Sequence, residues 1–346
     1  MHRFLSEDSL RTLARNLSET YEVCVPVETD KGGVYARLDS LSEDTFTPGG
    51  VRAVDPLKAF FFKPREYVAE GFESSAPKRN GRPLCAVGVK ACDLKGFRVQ
   101  DFVFDSADFV DPFYVAAREE ILLIACDCTC AIETCFCTAF DEKPFPQSDF
   151  DIALSPVDGG FLVETGSEKG EAVVAKHSDL FEECRPEHLE TRERNRETVT
   201  HAVDQNLADK GIPRQDALDS CMERHRESPL WQEEAERCVE CGACNTICPT
   251  CHCFLLNDQG NEARLVRFRS WDSCLMKDFA RVAGGGNPRG HLPERLRNRF
   301  EKKFWYFPRV AGIYACTGCG RCVSACPAKI DIREVMRKLA NHVHQR

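Results

Sequence analysis

Hydrophobic and polar positions fall into two different rhythms along the chain. Over roughly the first 180 residues, short β-prone runs recur at Tyr21–Val27, Val34–Leu38, Leu84–Val89, Ile121–Cys126 and Phe161–Thr165. Turn signals such as Asp30-Lys31-Gly32-Gly33, Pro48-Gly49-Gly50 and Asp158-Gly159-Gly160 separate or flank them. Ser6 to Leu17 reads as an opening amphipathic helix, and Asp93 to Phe97 opens a short helix after the strand ending at Val89. From about Glu182 to Glu236 the pattern changes to charged helix formers with few strong β residues. That helical stretch is broken near Gly211-Ile212-Pro213 and again around Pro229. Trp231 reads as a packing residue.

Length and composition narrow the class. A chain of 346 residues suggests two domains or three, and 42% hydrophobic residues suffice to bury a core. No run of eighteen apolar residues occurs, and Met1-His2-Arg3-Phe4-Leu5-Ser6-Glu7-Asp8 has acids where an export signal needs an apolar stretch. A soluble, cytoplasmic chain is expected, without membrane association. In that setting 21 cysteines point to metal or redox chemistry rather than disulfides.

The net charge of −9 is unevenly spread, because Asn261 to Val310 holds twelve Lys/Arg against five Asp/Glu. A solvated basic face is one reading. The other places cations beside anionic thiolates, where they raise reduction potentials. Nucleic acid is excluded as a partner: the patch has no reading motif and the whole chain is acidic. Gly284-Gly285-Gly286-Asn287 follows no strand and opens no helix, and no phosphate loop occurs. Flavin and nicotinamide are therefore expected on another chain.

The most specific pattern is a doubled cysteine run. Cys238, Cys241, Cys244, Cys248 and Pro249 repeat the spacing of Cys316, Cys319, Cys322, Cys326 and Pro327. Both read C-x2-C-x2-C-x3-C-P, in which three thiolates hold one [4Fe–4S] cubane and the fourth crosses to the other. Zinc sites use two well-separated ligand pairs, a poor match to this run. The expected sets are Cys238, Cys241, Cys244 and Cys326 on one cubane, and Cys316, Cys319, Cys322 and Cys248 on the other. Gly242, Gly318 and Gly320 are expected to let the backbone approach the sulfides. The motifs are 67 residues apart, and each runs into helix-like sequence, Ile332 to Val343 after the second. This favours an α-helical ferredoxin arrangement over a compact bacterial one.

A second thiol group, Cys126, Cys128, Cys130, Cys135 and Cys137, lies in the amino-terminal half, with Cys92 upstream. Five thiols within twelve residues are hazardous unless something holds them. A third cluster on four of these six is expected; inert buried thiols and a zinc site compete with it. Spacing does not choose the four. Cys251, Cys253 and Cys274 are expected to pack beside the ferredoxin core, with an added site including His252 as the alternative. Cys24, Cys85, Cys184 and Cys221 read as ordinary buried or surface residues.

Several compound motifs carry a family resemblance. They are Val87-Gly88-Val89-Lys90-Ala91-Cys92-Asp93, Asp111-Pro112-Phe113-Tyr114 and Cys135-Phe136-Cys137, then Cys248-Pro249-Thr250-Cys251-His252-Cys253-Phe254 and Arg267-Phe268-Arg269-Ser270-Trp271-Asp272-Ser273-Cys274. Across nearly the whole chain these resemble the iron–sulfur beta subunit of cytoplasmic sulfhydrogenases and its counterpart in anaerobic sulfite reductase. The resemblance implies an iron–sulfur wire between a flavin subunit that handles NAD(P)H and a catalytic partner. That partner is a hydrogenase, a sulfite reductase or a heterodisulfide-reductase-type module. Matched motif to motif, it implicates Cys92, Cys126, Cys135 and Cys137 in the third cluster; Cys128 and Cys130 depart from the pattern.

The expected fold is α+β. A mixed α/β domain covers residues 1–181, a helical connector 182–229, and a dicluster α-helical ferredoxin domain 230–346. The expected function is non-catalytic electron transfer within a hetero-oligomer. The rival is an enzyme with its own chemistry at the amino-terminal cluster.

Overall fold

The computed structural model describes residues 2–30, 32–40, 46, 48–71, 73–74, 81–106, 108–261 and 264–342. Lys31 of the first expected turn and Val343 at the end of the last expected helix lie outside these residues. The chain opens with strand β1 (Arg3–Ser6) and helix α1 (Glu7–Ser18), then β2 (Glu22–Val27) and β3 (Val34–Arg37). Ser6 caps α1, its Oγ accepting from Ser9 N at 3.1 Å. Leu10, Leu13, Ala14 and Leu17 form the buried stripe of this helix. Next come β4 (Arg65–Glu70), β5 (Glu73–Ser74), β6 (Leu84–Val89), α2 (Ala91–Phe104), the small hairpin β7 (Asp105–Ser106) and β8 (Phe109–Val110), α3 (Pro112–Glu120) and β9 (Leu122–Cys126). The first half closes with β10 (Ile152–Val157), β11 (Gly160–Thr165), α4 (Glu168–Lys176) and β12 (Glu182–Glu183).

Eight of these strands form one mixed sheet in the order β12-β1-β11-β10-β9-β6-β2-β3. Its centre, β10-β9-β6-β2, is parallel, and β6 and β9 are buried along their whole length. Continuous apolar runs are what a strand covered on both faces requires. Alternation along β9 divides its side chains between two cores. Leu122, Ile124 and Cys126 point to the side of Leu5, Val87 and Leu154, whereas Leu123 and Ala125 join Phe97, Phe104 and Tyr114.

The charged stretch folds as expected into helices: α5 (Pro186–Lys210), α6 (Gln215–Arg224) and α7 (Leu230–Glu236). Gly211 ends α5 at φ +58°, and Pro229 precedes α7. Trp231 is buried against Phe300 and donates its indole N–H to His225 O at 2.8 Å, so it is a packing residue. The remainder comprises α8 (Ala243–Thr246), β13 (Phe254–Asn261), β14 (Arg264–Trp271), α9 (Leu292–Glu301), a π-helical turn at Lys302–Tyr306, α10 (Phe307–Ala311), α11 (Arg321–Ser324) and α12 (Ile332–His342).

Two features depart from the expected segregation of domains. The 67 residues between the cysteine runs are not purely helical: β13 and β14 form a hairpin, and β14 pairs with β4 from the first half, Phe268 opposite Tyr67. In addition, the boundary expected at 181/182 is crossed by a third core. That core joins Phe136 and Phe140 to Leu207 of α5, Trp231 of α7, Phe300 of α9 and Val335 of α12. Among the described residues no helix is long and apolar enough to cross a membrane.

Candidate metal centres

Each cysteine run opens as a loop closed by one short helical turn, α8 after Gly242 and α11 after Gly320. Cys238, Cys241, Cys244 and Cys326 line a common cavity, with Cys322, Leu275, Leu296, Arg299 and Phe300 also on its wall. Three thiols of the first run thus meet the last thiol of the second. Cys326 Sγ accepts from Ile330 N at 3.3 Å.

Cys248, the fourth thiol of the first run, is turned the other way. Lys303 Nζ lies 3.4 Å from its Sγ and also reaches Thr250 Oγ1 and Ala315 O, each at 2.9 Å. Ala315 directly precedes Cys316. Burial, with Cys248, Cys316 and Cys319 as anionic neighbours, pushes the Cys322 thiol up to about 12 against the pull of Arg299. Burial works against the charge on Lys303, but the neighbouring Cys248 and Cys251 outweigh it and hold the ammonium above its ordinary range. The π-helical turn at Lys302–Tyr306 is what presents this lysine, and such turns favour functional positions.

Another cavity, called the third after the expected third thiol set, is lined by Cys92, Cys128, Cys130, Cys135 and Cys137 together with Arg52, Gly318 and Cys319. Cys92 stands on the first turn of α2 and the others follow β9. Their loop is pinned at three points. Lys90, buried to 1% exposure, donates to the carbonyls of Pro48, Gly49 and Asp127 at 2.9–3.3 Å. The Asp127 carboxylate receives Arg196 at 2.7 Å. Thr129 and Gly50 exchange hydrogen bonds at 2.7 and 3.1 Å.

Cys126 is not among the residues that line this cavity, in contrast to the set implied by resemblance. It is the last inward residue of β9, on the face shared with Leu122 and Ile124 and fully buried in their core. Cys128 and Cys130, past the strand, stand on the wall, Cys128 partly buried and Cys130 exposed. Burial pushes both thiols up, Cys126 to about 11 and Cys128 to about 12.

The thiols stand around cavities rather than on a point: among the described residues, no three Cys, His, Asp or Glu converge to hold a single ion. A cubane has volume of its own and suits ligands held apart in this way. The cavities also contain spare donors. Arg299 Nη2 at the first and Arg52 Nη2 at the third are buried without a hydrogen-bond partner, and buried donors of this kind are rare unless an acceptor is meant for them. The donor sets and these N–H groups fit anionic iron–sulfur groups. Of the basic stretch, Arg299 and Lys303 bear on the thiols, while Arg267 pairs with Asp258 in the open.

The other motif residues hold the scaffold. Arg269 is 2% exposed, ion-paired to Glu66 at 2.7 Å and to Asp111, and set over the Phe62 ring at 5.1 Å. Asp111 also caps α3, accepting from Phe113 N and Tyr114 N at 2.9 and 3.0 Å. Cys251 Sγ approaches Asn245 Oδ1 at 3.7 Å, and Asn245 Nδ2 approaches Cys274 Sγ at 3.2 Å. His252 lies between the Phe104 and Phe307 rings, and burial lowers its pKa to about 4. Cys24, Cys85 and Cys221 are buried, and Cys184 is partly exposed.

Comparison with known proteins adds to this geometry. Residues 237–330 match the family described as 4Fe-4S dicluster domain. The sulfhydrogenase 2 subunit beta of Pyrococcus furiosus is 31% identical over 322 residues, covering 92% of each chain. The chain belongs to this family of sulfhydrogenase beta subunits. It is an iron–sulfur electron-transfer subunit. Beside the thiols, the sequence reading had not singled out Arg52 or Lys90, whereas Cys128 was already among its six candidates; Lys90, inside the motif leading to Cys92, left a signal and Arg52 left none.

Proposed function

We propose that this chain is the iron–sulfur wire of a cytoplasmic hetero-oligomeric oxidoreductase. It would join a flavin subunit that handles NAD(P)H to a catalytic partner, a hydrogenase, a sulfite reductase or a heterodisulfide-reductase-type module. In support, the Pyrococcus relative is by name one subunit of a sulfhydrogenase. The proposed ligands are Cys238, Cys241, Cys244 and Cys326 for the first cubane, and Cys316, Cys319, Cys322 and Cys248 for the second. For the third they are Cys92, Cys128, Cys135 and Cys137. When bound, such groups each take up and release one electron.

The observation that carries the reading is a sharing of walls. Cys322 lines the first cavity and Cys319 the third, and both belong to the second set. This supports a second set lying between the other two, with Cys248 and Cys316 buried. Such a row has two ends for two partners. The isolated chain should turn over neither NAD(P)H, hydrogen nor sulfite, yet bleach with dithionite. NAD(P)H oxidation by the pure chain without a flavoprotein would overturn this division of labour.

A further inference from the structure

Arg52 lies on the loop after Pro48-Gly49-Gly50, far in sequence from both cysteine runs, and is 5% exposed. Its Nε donates to the carbonyl of Cys319, its side chain lines the third cavity, and its Nη2 has no partner. Among the described residues it pairs with no carboxylate. A buried guanidinium without an acid is costly unless an anion faces it.

Its neighbours are already engaged. Arg321, fully buried, gives Nη2 to Asp93 at 2.7 Å, Nε to Ala53 O at 3.0 Å and Nη1 to Cys92 Sγ at 4.0 Å, so its donors are engaged and its charge is neutralised by Asp93. Lys90 spends its donors on three carbonyls. Lys143, also on the cavity wall, is exposed and screened by water. Arg52 alone combines burial, an uncompensated charge and a spare N–H at this cavity, while its Nε holds the backbone of a thiol from the adjoining set.

Resting on the three-cubane reading, we propose that Arg52 is a positioning residue for the third cubane. Its free N–H donates to a ligand sulfur or sulfide there, and its charge raises that cubane's potential relative to the other two. Its second donor, on Cys319, couples this setting to the neighbouring set. A charge-assisted donor to the reduced, more anionic form favours reduction.

The test is an EPR-monitored redox titration of the anaerobically purified full chain, with iron counted on each sample. Wild-type protein with only two cubanes' worth of iron would overturn the three-cubane reading, and this proposal with it, before any variant is made. With full iron in the wild type, Arg52→Gln should lower one midpoint potential of three, and Arg52→Lys should largely restore it. If Arg52→Gln loses the third cubane instead, its retention in Arg52→Lys supports the same role for the charge. Three unchanged potentials in a fully loaded Arg52→Gln, or an Arg52→Lys indistinguishable from Arg52→Gln, would overturn the assignment.

Discussion

Cys126 and Cys128 differ by two positions and have opposite environments. A strand turns alternate side chains to opposite faces, and Cys126 is still within β9, committed to the apolar face. Cys128 lies beyond the strand, its N–H donating to Pro144 O at 2.9 Å in the loop that bounds the cavity. Cys128→Ala is expected to remove about four irons per chain, while Cys126→Ala should keep full iron and lose only some stability. Iron analysis of the two variants side by side checks this; loss of iron from Cys126→Ala alone would restore the set implied by resemblance. The doubled run stood out in the sequence because its spacing is itself a ligation pattern, and residues 237–330 match a 4Fe-4S dicluster domain. For the thiols near Cys126 spacing does not decide, since choosing among them needs the point where β9 ends. Arg269 illustrates the converse, a motif residue whose role is structural. Arg269→Ala would leave Glu66 and Asp111 without their buried cation, at a cost of about 3–5 kcal/mol, seen as a lower thermal midpoint. An unchanged midpoint would mean that the pair is open to water.

At the scale of elements, the loop before α11 depends on two glycines. Gly318 and Gly320 have φ of +64° and +71°, where any other residue is strained. A Cβ at Gly318 would overlap the backbone of Cys137, and one at Gly320 that of Thr134. Phe136 N donates to Gly318 O at 2.8 Å across the same contact. The glycines therefore serve a close approach between two cysteine loops, whereas the sequence suggested only an approach to sulfide. Gly318→Ala should disturb the second and third cubanes together and spare the first. EPR of the reduced variant would show this, and three native signals would contradict it. Most strands of the large sheet and the breaks at Gly211 and Pro229 were readable from local pattern. The β13–β14 hairpin and the π-helical turn were not. The hairpin's pairing with β4 is long-range, and the π-helical turn at Lys302–Tyr306 carries Lys303 to a contact with Cys248, 55 residues away in sequence.

At the scale of the whole molecule, the two cysteine runs are expected to interlock. Cys326 joins the cavity of Cys238, and Cys248 turns toward Lys303 and Cys316. Cys326→Ala should thus disturb the same cubane as Cys238→Ala; a spectrum matching Cys316→Ala instead would refute the crossing. The core shared by Phe140, Trp231 and Phe300 draws on both sides of the division that composition suggested. Composition follows the surface and the loops, while the thiol cavities lie where segments distant in sequence meet. The most direct test of three adjoining cubanes is iron and acid-labile sulfide per chain in anaerobically purified protein. The account predicts about twelve of each, with zinc below stoichiometry; about eight irons, or one zinc per chain, would contradict it.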